Sequence, residues 1–302
     1  VKDLPILQTN VSLKEYNWWK VGGEAQFFVE PESPEQVIDC LKWAEANGHA
    51  YTVLGDGSNC LISDQGISGL TISTKKLNGI LREQEQDGQY LIECLAGTPK
   101  MQVMRLFLKK KLTPALFLSG LPGQVGGGIY MNAGVREKRE PREFCQIVKS
   151  FKVVDEKTLS IKTYSHSDIE WSYRKTSGWG PGIIVSCELG WENTPDPEVP
   201  KMVVEANKLR KSKQPLEFPS GGSTFKNPST EQSAGLLIDQ AGLKGFKVGD
   251  AQVSEKHANF IINLGQATAK DVWSVIKHVK EMVLKTSGIE LQTEVIRKGF
   301  TD

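Results

Sequence analysis

The sequence predicts an α+β fold in more than one domain, and three observations carry that prediction. A strand, a helix and a strand follow one another between residues 25 and 54. Short strands punctuated by Asn-Gly and Asp-Gly turns fill 61–95. A proline-rich stretch at 192–200 then separates all of this from a second region of helices and strands. A chain of 302 residues is long enough for two or three domains, each with its own core.

The elements follow in order. "AQFFVEPES" reads as a strand and "SPEQVIDCLKWAEANGH" as the helix after it. Ser33 suits the N-cap, Pro34 the first helical position, and Val37, Leu41 and Ala44 share one face before Gly48 stops the helix. "AYTVL" is the next strand, and "GLTIST", "GILREQEQ" and "QYLIECLAG" continue the series. A helical stretch, "KMQVMRLFLKKKL", leads into "SGLPGQVGGGIYMNAG", residues 119–134, and "CQIVKSFKVVDEKT" and "GIIVSCELGW" are further strands. The linker "ENTPDPEVP" puts a boundary near residue 195. Beyond it come a basic helix, "KMVVEANKLRKSK", and the helix "TAKDVWSVIKHVKEMVLKTSG". The second has a Thr268/Asp271 capping pair, an apolar stripe of Val272, Ile276, Val279 and Val283, and Gly288 as terminator. "IELQTEVIRKGF" alternates as a closing strand, and no long-period repeat is present.

Composition narrows the function. Hydrophobic content of 39% with 24% charge describes a globular protein, and a net charge of +1 gives no global field for nucleic acid or an anionic membrane. Five scattered cysteines without a C-x-x-C pair read as reduced thiols packed as small hydrophobes. No apolar run is long enough to span a bilayer, and "VKDLPILQTN" lacks the layout of a signal peptide. The expectation is a cytoplasmic protein, with a processed leader left open because the sequence does not begin with Met.

Chemistry concentrates in the glycines. Residues 119–134 hold six glycines in sixteen positions, although glycine inside regular structure costs up to about 1 kcal/mol relative to alanine. Close approach of the main chain to a bound group is the leading reason. "GDGSNC", residues 55–60, partly matches the dinucleotide fingerprint G-x-G-x-x-G, but an extended "LIS" follows and no acid sits about 20 residues on. No G-x-x-x-x-G-K-[ST] loop exists. Two loops remain, 55–59 and 120–128, which either cradle a diphosphate on their N–H groups or are ordinary tight turns.

Other residues are ambiguous alone. Ser223, in "PSGGSTFKNP", is not a nucleophile elbow and is either a turn serine or a proton donor. Arg174, in "WSYRKTSG", is either a surface charge or a clamp for a carboxylate. Glu294, in "LQTEVI", falls on the strand face opposite Leu291 and Val295, so it need not be in the core, and taken singly it reads as a surface charge. The four histidines show no metal-ligand spacing, so no metal is expected.

In combination and order, "VLGDGSNCLI", "SGLPGQVGGGIYMNAG", "YRKT", "KQPLEFPSGGSTFKNP", "AGLLIDQAGLKG" and "VSEKHANFIIN" resemble the UDP-N-acetylenolpyruvoylglucosamine reductase family, over nearly the whole chain. The resemblance implies a two-subdomain FAD-binding fold of the vanillyl-alcohol-oxidase/PCMH type plus a C-terminal α+β substrate domain. Its expected divisions are 1–78, 79–195 and 196–302, with the third part closing over the substrate. Gly55, Asp56, Gly57, Ser58 and Asn59 would form one phosphate-side loop. Gly120, Gly123, Gly126, Gly127, Asn132 and Ala133 would line the rest of the FAD site. The implied reaction takes hydride from NADPH to flavin N5 and on to C3 of an enolpyruvyl group, in peptidoglycan precursor synthesis. Negative charge then develops at C2 and its carboxylate, which calls for a cation, a polarising partner and a proton donor. Arg174 and Glu294 match the stabilising positions and Ser223 the donor.

Lys213 and Asn227 match positions near the substrate's diphosphate and sugar, with Tyr130 and Tyr173 as weaker candidates for that pocket. The short span from Trp191 to Lys201 has no room for the tyrosine-bearing loop of one subclass, so the chain resembles the shorter second type. It departs from the family at "NWWKVGG", where a threonine usually precedes "VGG", at "VREKRE" after "MNAG", and at Thr176 in place of serine. Three rivals remain from the sequence: an FAD-linked oxidase of the same fold, a non-catalytic nucleotide-binding module, and a serine hydrolase.

Overall fold

The computed structural model describes residues 4, 7–135, 139–229 and 231–300. The first elements are β1 (Gln8–Ser12), β2 (Glu24–Val29), α1 (Pro34–Ala46), β3 (Tyr51–Leu54), β4 (Cys60–Ile62) and β5 (Ile67–Ser73). As the sequence predicts, Ser33 caps α1, its side chain accepting from the Gln36 N–H at 3.3 Å, and Gly48 takes a left-handed φ of 67° just past the helix. Strands β1, β2, β5 and β3 lie in that order in one sheet.

The middle of the chain holds β6 (Ile80–Gln86), β7 (Gln89–Leu95), α2 (Lys100–Lys109), α3 (Pro114–Ser119), α4 (Val125–Tyr130), β8 (Val148–Asp155), β9 (Ile161–Ser165), β10 (Glu170–Ser172), β11 (Lys175–Ser177) and β12 (Gly182–Glu192). An antiparallel sheet runs β6-β7-β12-β8-β9, and β10 with β11 makes a separate hairpin. Alternation along β7 buries Tyr90, Ile92 and Cys94 in one core with Val103, Met104 and Phe107 of α2. The Tyr90 and Phe107 rings meet edge to face, 5.8 Å apart. Cys94 and Cys187 stand directly opposite each other on β7 and β12 with their sulfurs 3.6 Å apart as free thiols.

The remainder is α5 (Val199–Lys213), β13 (Ser220–Ser223), α6 (Ala234–Gln240), β14 (Lys247–Val248), β15 (Ala251–Val253), β16 (Phe260–Asn263), α7 (Ala269–Ser287) and β17 (Ile296–Lys298). A sheet of order β13-β16-β15-β14 packs with α6 and α7 around Val253, Ile261, Val272, Ile276 and Val279. The predicted cap of α7 is present in full, with Thr268 and Asp271 bonded reciprocally and Gly288 left-handed at φ 70°.

Two sequence expectations need correction. The stretch 289–300 is not one strand. Only 296–298 is, paired in parallel with β4, while Thr293 bridges to Phe225, because the segment changes partner after Glu294. The glycine-rich segment also holds α4, which its glycines concealed, and α3 ends at the segment's first residue. By contact density the chain divides into two compact units, 1–7 with 28–56 and 71–209, and 8–27 with 57–70 and 210–302.

Candidate flavin and substrate site

Each glycine of 120–128 has its own reason. Gly123 adopts φ 85°, which only glycine holds without strain. A Cβ on Gly126 would lie 2.9 Å from that of Ala96, and one on Gly128 would meet the Phe144 ring at 2.5 Å. Gly127 differs: it is exposed, it sits in α4, and a Cβ there would meet nothing within 4 Å. No group of the protein requires a glycine at that point, so the open cradle fits close approach by a bound planar or phosphorylated group. Main-chain bonds hold the turn in place, from Val125 N to Thr98 O at 2.9 Å and from Gly126 N to Ala96 O at 2.7 Å.

Gln124 links this turn to the loop before it. It is buried, its Oε1 accepts from the Thr74 hydroxyl at 2.7 Å, and a Cβ on Gly55 would lie 3.3 Å from the same oxygen. Sequence reasoning passed over Gln124 because a glutamine among glycines has no periodic signature. Gly57 is left-handed at φ 68°, and a side chain there would run into the Tyr16 carbonyl. Asp56 and Ser58 are half-buried.

Asn132 is buried, and its side chain serves the fold. Its amide donates to Glu143 Oε2 at 3.0 Å and to Ser172 O at 3.1 Å, and its oxygen accepts from Cys145 N at 2.9 Å. Ala133 N bonds Gly128 O at 2.8 Å, while Gly120 closes α3. Tyr130 is exposed and meets Trp179 edge to face.

Arg174 and Tyr173 form the two-residue tip of the β10–β11 hairpin, since Ser172 pairs with Lys175. Arg174 takes φ 58°, a left-handed conformation that costs a non-glycine residue roughly 1–2 kcal/mol. Its guanidinium lies 4.8 Å from the Tyr173 ring centroid and donates to Gly134 O at 2.8 Å. The Thr176 departure has a structural role: its buried hydroxyl donates to Tyr130 O and accepts from Trp179 Nε1.

Ser223 and Glu294 occupy neighbouring segments of the other unit. Ser223 ends β13 after a register irregularity containing Gly222 at φ 75°, a bulge that re-aims the strand end. Glu294 N donates to the carbonyl of Thr224, the next residue after Ser223, at 2.9 Å. Asn259 clamps the same strand end, accepting from Phe225 N and donating to Phe225 O, both at 2.9 Å. Asn59 Nδ2 donates to Glu294 O at 3.1 Å.

The "NWWK" departure belongs to this unit too. Trp19 is fully buried, its ring fills the space that a side chain at Gly221 would need, and its Nε1 donates to Ile261 O at 2.7 Å. Asn227 is exposed and its Oδ1 accepts from Ala234 N, while Lys213 is exposed at the end of α5. At the third departure Val135 bonds Arg142 O through its N–H, and Arg136 lies outside the described residues. No group of three or more metal-ligating side chains occurs among the described residues. Nor does any helix there have the length and apolarity to cross a membrane.

Comparison with known proteins decides the family. A model for the UDP-N-acetylenolpyruvoylglucosamine reductase C-terminal domain matches residues 214–297, and one for an FAD binding domain matches 25–163. The UDP-N-acetylenolpyruvoylglucosamine reductase of Clostridium perfringens (strain SM101 / Type A) is 38% identical over 284 residues, 94% of this chain and 90% of its own. That of Synechococcus sp. (strain CC9311) is 37% identical over 98% of this chain and 94% of its own. The chain belongs to the UDP-N-acetylenolpyruvoylglucosamine reductase family. Its fold also matches the crystal structure of the reductase of Thermus caldophilus, with a TM-score of 0.78, 32% identity, and 97% and 98% of the two chains covered. Membership of this family makes the chain an oxidoreductase with FAD as its cofactor, and the open cradle at Gly127 fits that group.

Proposed function

We propose that the protein reduces UDP-N-acetylglucosamine enolpyruvate to UDP-N-acetylmuramate with NADPH, as a cytoplasmic step in peptidoglycan precursor synthesis. The observation that carries this reading is the backbone pairing of the Ser223 and Glu294 segments, through Glu294 N and Thr224 O at 2.9 Å, in a chain of this family. We also keep the three-part division 1–78, 79–195 and 196–302 as a proposal.

FAD, when bound, would supply the redox chemistry, the transfer of hydride from NADPH to C3 of the enolpyruvyl group. Gly55 to Asn59 and the turn carrying Gly120, Gly123, Gly126 and Gly127, with Asn132 and Ala133 behind it, hold the cofactor in this reading. The protein's remaining task is the charge that builds at C2 and the adjacent carboxylate. Arg174 binds that carboxylate with a guanidinium whose direction the hairpin tip fixes. Glu294 polarises the developing enolate, and Ser223 gives its hydroxyl proton to C2. Serine is a weak acid in water, but an enolate carbon is basic enough to take the proton. Lys213 and Asn227 meet the diphosphate and sugar in this reading, and Tyr130 and Tyr173 are the weaker candidates for substrate contact.

The test is anaerobic. Protein reduced with NADPH is mixed with UDP-N-acetylglucosamine enolpyruvate while the visible flavin absorption is followed. Return of the oxidised spectrum with UDP-N-acetylmuramate formed is the expected result. A flavin that reduces and then reoxidises only with oxygen overturns the substrate and points to an oxidase.

A further inference from the structure

We propose that Lys100, buried behind the glycine-rich turn, is a positioning residue that supplies the fixed positive charge met by the diphosphate of the bound cofactor. The inference rests on the flavin reading of that turn.

Lys100 opens α2, where a lysine ordinarily reaches water, yet it is only 5% exposed. It holds two consecutive carbonyls of the turn: its main-chain N–H donates to Gly123 O at 3.0 Å, and its Nζ donates to Pro122 O at 2.7 Å. Space for its stem depends on Gly128, where a Cβ would fall 2.8 Å from Lys100 Cε. The Phe144 ring lies against the ammonium, 5.5 Å from centroid to Nζ. An ammonium has three N–H donors, and one carbonyl with one ring face satisfies it incompletely. Among the described residues no carboxylate stands within ion-pair distance of it.

Such a group is costly to fold around. Burial opposes its charge, Asp56 of the 55–59 loop supports it, and Arg174 opposes it. An apolar side chain of the same length would fill the space without the cost of desolvating a charge. A lysine there is explained by an anion that arrives later. The turn it braces lines the FAD site in that reading, and the loop whose carboxylate it feels is its phosphate-side loop. Lys100 thus completes its own ion pairing only in the loaded protein.

Lys100→Met in the full chain, stripped of flavin, tests this with three ligands followed by flavin fluorescence or by competition: FAD, ADP and riboflavin. The last two carry the diphosphate and the ring separately. The expected result is an affinity at least tenfold weaker for FAD and for ADP, with riboflavin changed by less than about twofold. Equal losses for riboflavin and FAD would mean that Lys100 only braces the turn, and overturn the proposal, as would unchanged binding of FAD and ADP. Should the Met variant fail to fold, Lys100→Gln carries the same comparison. A parent chain that takes up no FAD at all overturns the flavin reading itself, a result distinct from a parent that binds and a variant that binds equally well.

Discussion

The side-chain amide of Asn59 donates to the main-chain carbonyl of Glu294 at 3.1 Å, and Ile296 returns an N–H to Asn59 O at 3.0 Å. A loop that reads as phosphate-binding therefore also anchors the segment of an acidic residue assigned to catalysis. Asn59→Ala removes one hydrogen bond, worth about 1 kcal/mol. We expect reoxidation of the reduced flavin by the enolpyruvyl substrate to slow by about tenfold, a cost of about 1.4 kcal/mol in the barrier. Stopped-flow absorption gives the rate; a loss confined to FAD affinity would assign Asn59 to the cofactor alone.

Ser223→Ala separates the two half-reactions. Flavin reduction by NADPH is expected to stay near the parent rate, while reoxidation by substrate falls by roughly 10²–10⁴, the usual contribution of a placed proton donor. Equal loss in both halves would remove Ser223 from the donor role.

At Arg174, the proposed role and stability pull in opposite directions. Arg174→Gly relieves a left-handed φ that costs roughly 1–2 kcal/mol and gives up a hydrogen bond of about 1 kcal/mol. Thermal melting should therefore move little or upward. Reoxidation by substrate should fall by about 10²–10³, as when an electrostatic stabiliser is deleted. A variant that loses both stability and activity would make the hairpin tip structural.

The glycines offer an internal control. Gly127→Ala introduces a Cβ with nothing within 4 Å, so it should stabilise the flavin-free chain by up to about 1 kcal/mol while weakening FAD. Gly128→Ala, which meets the Phe144 ring at 2.5 Å, should destabilise it instead. Denaturant melts and flavin fluorescence distinguish the two. If Gly127→Ala binds FAD as the parent does, the cradle is not the binding surface.

Lys100 also gives the flavin-free chain a pH signature. Burial lowers its pKa from 10.5 to about 8, against support from Asp56. Between those values the unfolded chain keeps the proton and the folded chain has released it, so the folded state gains as pH rises. Below about 8 the full penalty of the buried charge applies. Stability of the parent relative to Lys100→Met should therefore climb across that window and be flat beneath it. Urea melts of both chains give the curve, and a constant difference at every pH would show that Lys100 titrates normally in the fold.

Regular elements were readable where one residue type does one job. Ser33, Pro34 and Gly48 bounded α1, and Thr268, Asp271 and Gly288 bounded α7, because caps act through their immediate neighbours. The 119–134 segment announced itself by glycine content, but the separate reasons for Gly123, Gly126, Gly127 and Gly128 depend on partners such as Ala96 and Phe144. Lys100 and Gln124 went unnoticed for the same reason: a lone polar residue carries no sign of what it will be packed beneath. Residues 289–295 looked like strand because they are extended and alternating, yet a ladder also needs a continuous partner. That the Glu294 segment pairs with the one after Ser223 depends on the bond from Glu294 N to the Thr224 carbonyl, which no local pattern announces.

The bond from Trp19 to Ile261 spans 242 positions, and β4 likewise waits for β17 before it has its parallel neighbour. On a ribosome adding about 5–20 residues per second, that interval lasts on the order of tens of seconds. Throughout it Trp19, Val21 and Leu61, all interior in the finished unit, have no completed core to enter. Nascent chains stalled before residue 261 should therefore present a sticky amino-terminal segment to chaperones, and release past β17 should end that exposure.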